Sequence, residues 1–254
     1  MWTIHHYDEL PSTQTLARSL FDEGKAGHGD VFIAAHQSSG RGQYVWRMWD
    51  DEPGANLLLS FILTDVPAAI CDMMQFLAGL SVLSTIRSIL DRELRSFDHN
   101  RVKLKWPNDI LIDGKKVSGV LSEAIWAGQT LKGVIIGIGI NVNQDSFTDP
   151  VASKATALKQ ILSETVPLQQ TCDLLLATIE YTLKHYSDRA KLCADLRSEL
   201  EWMESLSVES ATTPDGTSFS SLTIKGISDA GALIVQTSGG VEHVLQSATL
   251  HFSS

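Results

Sequence analysis

Lys105, Asn108, Asp109 and Lys116 fall within one stretch, KLKWPNDILIDGKKVSGVLSE at 103–123, of a 254-residue chain. Its four lysines (Lys103, Lys105, Lys115, Lys116) stand out in a protein of formal net charge −10. A cation held rigidly beside amide and carboxylate groups suits chemistry on an anionic substrate, because developing charge meets a fixed opposite charge. The same residues also fit a surface hairpin with solvated lysines, the usual fate of a charge run. Asp113-Gly114 between two apolar runs predicts a hairpin, since Gly tolerates the positive φ of a tight turn. Its strands are expected at 110–112 and 117–123, with Lys116 at the start of the second and Glu123 at its end.

Other polar residues gather at predicted element ends. WTIHHY at 2–7 reads as a strand, broken at Pro11. Ser12 reads as the N-cap of a helix carrying Leu16, Leu20 and Phe21 and ending at Gly24. Ser12 and Thr13 therefore sit at a strand-to-helix junction, where hydroxyls and free N–H groups either cap the helix or bind a small polar ligand. A buried strand at 31–35 leads into His36-Gln37-Ser38-Ser39-Gly40-Arg41-Gly42-Gln43. Glycine-freed amides and a guanidinium there could cradle a phosphate or carboxylate. The loop is neither a Walker loop nor a GxGxxG turn. It runs on through Tyr44, Trp46, Trp49 and the acidic run Asp50-Asp51-Glu52 to Pro53-Gly54, a length typical of binding loops.

The remaining elements must hold these groups in place. A buried strand is predicted at 56–63 and a long core helix at 68–94, whose methionines are packing residues. The 132–143 segment reads as a strand with Gly137 and Gly139 placed regularly, then Asn141. Glycine there allows either close approach of a flat ring or tight sheet-to-helix packing. Helical stretches follow near 153–164, 168–186 and 188–205. From residue 207 Ser, Thr, Gly and β-branched residues dominate, and LTIKGI, GALIVQT and VEHVLQ predict a small SH3-like barrel. The fold class is α+β, with units at 1–206 and 207–254.

Composition narrows the function. The chain is 43% hydrophobic, so it should bury a sizeable core. An acidic balance of 30 to 20 argues against a general nucleic-acid binder. Cys71, Cys172 and Cys193 are widely spaced, with no CxxC pair, and read as reduced packed thiols. No signal peptide or transmembrane helix is expected, which points to a cytoplasmic protein.

In this order the motifs resemble the biotin protein ligases. The match runs through Ser12-Thr13, QSSGRG at 37–42, Gly54-Ala55-Asn56, KWPND at 105–109, the Lys115-Lys116-x-x-Gly119 hairpin with Glu123, GIGINVN at 137–143 and GISDAGALIV near the C-terminus. The resemblance implies a mixed sheet flanked by helices, as in class II aminoacyl-tRNA synthetases, with the small C-terminal barrel. It implies that biotin is activated by ATP, with Mg²⁺ on the triphosphate, and passed to a lysine of a biotin carboxyl carrier protein. By resemblance Lys116, favoured over Lys115 by the turn register, and Arg41 are catalytic. Ser12, Thr13, Gln37, Gly40, Arg41, Gly42, Lys116 and Gly119 would bind biotin. Arg41, Trp49, Asn108, Asp109, Lys116 and Asn141 would bind ATP or the adenylate, with Asp109 orienting Lys116 and Trp46 or Trp49 covering the site. Metal ligands are not assigned.

The loop departs from the family pattern. Gln43 stands where arginine is usual, a later glycine is missing, and the spacing before Trp49 is one residue longer. This puts Gln43, Trp46 and Arg47 in doubt as contacts and implies a leakier adenylate. Some family members carry a DNA-binding domain before the catalytic one. Here the first strand begins at Trp2, and no DNA binding is expected; a homodimer is open. Two alternatives are a lipoate or octanoate transferase and a non-catalytic biotin-binding regulator.

Overall fold

The computed structural model describes residues 2–42, 49–186 and 188–252. The chain begins with β1 (Thr3–Leu10), α1 (Thr13–Asp22), β2 (Asp30–Gln37) and β3 (Leu57–Leu63). A 3-10 turn at Ala68–Met73 leads into α2 (Met74–Glu93). Then come β4 (Val102–Lys105), β5 (Asp109–Ile112), β6 (Lys115–Ala127) and β7 (Thr130–Ile140). Three helices follow, α3 (Leu158–Leu162), α4 (Leu168–His185) and α5 (Arg189–Leu200). The chain closes with β8 (Ser207–Thr212), β9 (Ser218–Ile227), β10 (Leu233–Thr237), β11 (Glu242–Leu245) and β12 (Thr249–Phe252).

The first seven strands form one mixed sheet in the order β1-β2-β3-β7-β6-β5-β4. β1 and β2 run parallel, and the other neighbours antiparallel. Every residue of β3 is buried, which requires cover on both faces. Alternation along the strand sends Leu57, Leu59, Phe61 and Leu63 into the core with α2, and Ile62 into a smaller core with Ala17 of α1. The run Ala68–Glu93 is long and apolar enough to cross a membrane by length and composition, but 72% of its apolar window is packed inside the protein. It is the core helix of this sheet. The Asp113-Gly114 turn forms as expected, with φ of 50° and 77°.

Two expectations need correction. The predicted helix at 153–164 shrinks to Leu158–Leu162. Residues 154–156 instead run beside Lys116: its N–H donates to the Lys154 carbonyl (2.8 Å) and its carbonyl accepts from Thr156 N (2.9 Å). Those two backbone groups outcompete helix formation, because neither could be buried unpaired. The C-terminal strands form an open antiparallel sheet, β11-β10-β9-β8-β12, compatible with an SH3-like domain but not closed into a barrel. Its end strands β11 and β12 span four residues each and do not pair with one another.

The first sheet ends with β7 at Ile140 and the second begins with β8 at Ser207, yet one apolar core runs through both. Trp106, 1% exposed, lies at that seam. Its indole Nε1 donates to the Gly231 carbonyl at 2.9 Å, and Trp202 Nε1 donates to the Leu104 carbonyl at 2.9 Å. The Trp106 bond fastens the KWPND segment to the turn between β9 and β10.

Candidate active site

Ser12 caps α1, its hydroxyl facing Thr15 N at 3.5 Å, and also lines a cavity over the sheet. Gln37, at the end of β2, accepts from Thr13 N (2.7 Å) and Thr13 Oγ1 (3.1 Å) through its Oε1. Ser60 of β3 meets Thr13 Oγ1 at 2.9 Å and donates to Gln14 Oε1 at 3.1 Å. Gln14 Nε2 donates in turn to the Ile135 carbonyl at 3.3 Å. These hydroxyls and amides, buried except for the half-buried Gln37, are uncharged, and they suit a neutral ligand group with both donors and acceptors.

Cations and carboxylates complete the site. Lys116 lines the cavity, and its Nζ lies 2.5 Å from Asp109 Oδ1. Arg41 also lines it and makes an ion pair with Glu123, Nη2 to Oε1, at 3.2 Å. Asn108, another lining residue, donates from Nδ2 to the Val120 carbonyl at 2.9 Å. Lys116 is therefore held at both levels, its backbone by residues 154–156 and its ammonium by Asp109.

The glycines of β6 and β7 leave room for a ring, and Trp49 fills part of it. A β-carbon on Gly139 would come within 2.6 Å of Trp49 Cζ2, and one on Gly119 within 3.1 Å of Cζ3. Lys116 Nζ stands 5.5 Å from the Trp49 ring centroid, a cation–π distance. Trp49 Nε1 is buried with no hydrogen-bond partner among the described residues. Gly137 serves the other purpose: a β-carbon there would meet Gln14 Oε1 at 2.7 Å, so this glycine admits α1.

The structure brings Ser12, Thr13, Gln37, Arg41, Gly42, Trp49, Asn108, Lys116 and Gly119 to one cavity. Gly40, Asp109 and Asn141 do not line it. Gly40 accepts from Trp49 N at 2.9 Å through its carbonyl. Asn141, expected at the adenine, donates from Nδ2 to the Thr156 carbonyl at 3.1 Å; it fastens the 154–156 strap, and its buried Oδ1 has no partner among the described residues. The doubts about Gln43, Trp46 and Arg47 fall outside the described residues.

Sequence reasoning missed Gln14 and Ser60, whose helical and strand positions look like ordinary packing sites. It also missed the work of the acidic run. Asp51, with its side chain 1% exposed, meets His36 Nδ1 at 2.9 Å and accepts from Gln37 N at 3.3 Å. Asp50 accepts from Thr148 N and Oγ1, and Glu52 from Asp145 N. The run anchors the returning arm of the loop. Among the described residues no group of three His, Cys, Asp or Glu side chains is placed to hold a metal ion.

Comparison with known proteins shows what the chain resembles. The pattern of the biotin/lipoate A/B protein ligase family matches residues 8–141. The chain is 31% identical over 242 residues to the bifunctional ligase/repressor BirA of Bacillus subtilis, covering 94% of this chain and 71% of that protein. It is 30% identical over 173 residues to the biotin–[acetyl-CoA-carboxylase] ligase of Mycobacterium tuberculosis, covering 67% of this chain and 60% of that one. The structure of biotin protein ligase from Aquifex aeolicus in complex with biotin and ATP superposes with a TM-score of 0.79 at 25% identity, over 99% of both chains.

Proposed function

Given that this chain belongs to the biotin/lipoate A/B protein ligase family, we propose that it is a biotin protein ligase that joins biotin to a carrier protein in two steps. The observation that carries this reading is the meeting of Lys116 and Arg41 with the neutral Ser12-Thr13-Gln37 group in one cavity. In the first step a biotin carboxylate oxygen attacks the α-phosphorus of ATP, and the bond to pyrophosphate breaks. Two anions must approach, so fixed cations offset their repulsion. Lys116 would bridge the carboxylate and the α-phosphate, and Arg41 would hold phosphate oxygens in the fork geometry that guanidinium favours. In the second step a carrier lysine amine attacks the acyl carbon, and AMP leaves, its charge again met by Lys116.

Ser12, Thr13 and Gln37 would hydrogen-bond the ureido ring, with Gly40 and Gly42 shaping the loop around it. Gly119 admits the ring to the backbone. Trp49 and Asn108 would line the nucleotide, with Asp109 orienting Lys116. Asn141 acts at one remove, through the 154–156 strap. Mg²⁺ would enter on the triphosphate and neutralise it, rather than in a resident protein cage.

The acceptor is a biotin carboxyl carrier protein, as the name of the Mycobacterium relative suggests. The reaction belongs in the cytoplasm, where ATP and carrier are both available. A homodimer would form through an open sheet edge; β5 covers β6 only at 115–119, leaving 121–127 free of a strand on that side among the described residues. The formal net charge of −10 argues against affinity for DNA.

Streptavidin-detected transfer of biotin to a carrier domain, with ATP omitted as control, and transfer of lipoate offered in its place, read by the mass of the carrier domain, test the reading. ATP-dependent transfer of biotin alone supports it. No transfer, or transfer of lipoate instead, overturns it.

A further inference from the structure

Glu123 closes the hairpin that carries Lys116, and neither the proposed steps nor the cavity lining uses it. Its position is nonetheless specific. β6 pairs with β7 in unbroken register from Ser118 to Ile125, so Gly119, Leu121 and Glu123 alternate onto one face. Gly119 and Leu121 line the cavity, and Glu123 stands one strand repeat beyond them. From there its Oε1 meets Arg41 Nη2 at 3.2 Å. The Arg41 side chain is 47% exposed, and Glu123 is the ion-pair partner it has among the described residues. A guanidinium carries five N–H donors. One anchored nitrogen sets its direction and leaves the others for an anion in the cavity.

We propose that Glu123 is a positioning residue for the ligase reaction: it holds the Arg41 guanidinium toward the cavity so that it meets the nucleotide phosphates without first being ordered. This rests on the proposed function, specifically on Arg41 as the phosphate-binding arginine. Lys116 and Asp109 stand in the same relation, so each cavity-lining cation has one carboxylate behind it. Holding a long side chain in one rotamer before binding removes an ordering cost that binding would otherwise bear. Because the pair is partly exposed, its contribution is modest, equivalent to about a two- to fivefold effect.

The test measures biotin-dependent pyrophosphate release at varied ATP for wild type, Glu123→Ala, Glu123→Gln, Arg41→Ala and the Glu123→Ala/Arg41→Ala double variant. Glu123→Ala should raise KM for ATP about two- to fivefold and leave kcat nearly unchanged. Glu123→Gln keeps an acceptor oxygen and should recover part of the loss. Beside Arg41→Ala, which alone should weaken ATP use more strongly, Glu123→Ala should add nothing, because coupled residues are non-additive. An unchanged or lowered KM in both Glu123 variants overturns the proposal, as does a full extra effect in the double variant. If Arg41→Ala is itself silent, the role of Arg41 falls and this inference with it. If Arg41→Ala impairs ATP use while both Glu123 variants behave as wild type, this inference alone falls.

Discussion

The indole of Trp49 lies against Gly139, so closely that a β-carbon there would come within 2.6 Å of Cζ2 and 2.7 Å of Cε2. An aromatic ring thus rests on the glycine bed of β6 and β7 where a substrate ring would be received. It rests there at a cost. Trp49 Nε1 is buried without a partner among the described residues; an N–H left so costs about 1–3 kcal/mol, which is relieved when the indole moves out.

Biotin binding is therefore expected to displace Trp49. Tryptophan emission should change on adding biotin, and Trp49→Phe should remove most of that change. Gly139→Ala should shift the emission without ligand and weaken biotin at least about tenfold by calorimetry, since one extra methyl overpacks a full site. Wild-type emission that ignores biotin, or a Gly139→Ala variant that binds it normally, contradicts this view of the bed.

Lys116→Ala should reduce adenylation by about 10²–10³, the usual cost of deleting one charge-stabilising group. The fold should survive, because the side chain is partly exposed and the 154–156 strap grips only its backbone. Pyrophosphate release together with far-UV circular dichroism checks both halves. Wild-type release from this variant would remove Lys116 from the chemistry.

Trp106→Phe deletes the Nε1 bond to the Gly231 carbonyl while keeping a ring in the seam. Stability should fall by about 1–2 kcal/mol in urea, reflecting an unpaired buried carbonyl. The two sheets share one core, so unfolding should remain a single transition. Two separated transitions would show that the C-terminal sheet is independent of KWPND.

The thiols give a pH test. Burial raises Cys172 from 9.0 to about 11, and burial likewise raises Cys71 and Cys193. All three should react slowly with thiol reagents at pH 8 in the native protein and rapidly in urea. The sign for stability follows. The folded chain holds the Cys172 proton that the unfolded chain releases near pH 9. This contribution is complete below that pH and is lost as pH rises toward about 11. Stability that stays flat across this window in wild type, or that falls equally in Cys172→Ala, would count against the assignment.

Much of the site was legible because the signals are local. Asp113-Gly114 specifies its hairpin through the positive φ that both residues adopt, and the hairpin carries Lys116. Ser12 caps α1 through a hydroxyl three positions before the amide it faces. Gly137 and Gly139 allowed either a ring or tight helix packing against the strand, and the structure has both: Trp49 lies on Gly139 and Gln14 of α1 on Gly137.

The rest required the sheet. Arg41, just after β2, and Glu123, on β6, meet across a sheet whose strand order alternation along a strand cannot reveal. The 153–157 segment had helical composition, yet the unpaired backbone of Lys116 drew residues 154–156 alongside it as a strap. Asn141 sits at the strand end where an amide could read a base, and only the tertiary structure shows that its Nδ2 donates to the Thr156 carbonyl. The sequence by itself determined which residue types were available and which short turns would form, since these depend on neighbours a few bonds apart. The tertiary structure decided which cation faces which carboxylate and which ring fills the glycine bed, since those depend on packing between residues far apart in the chain.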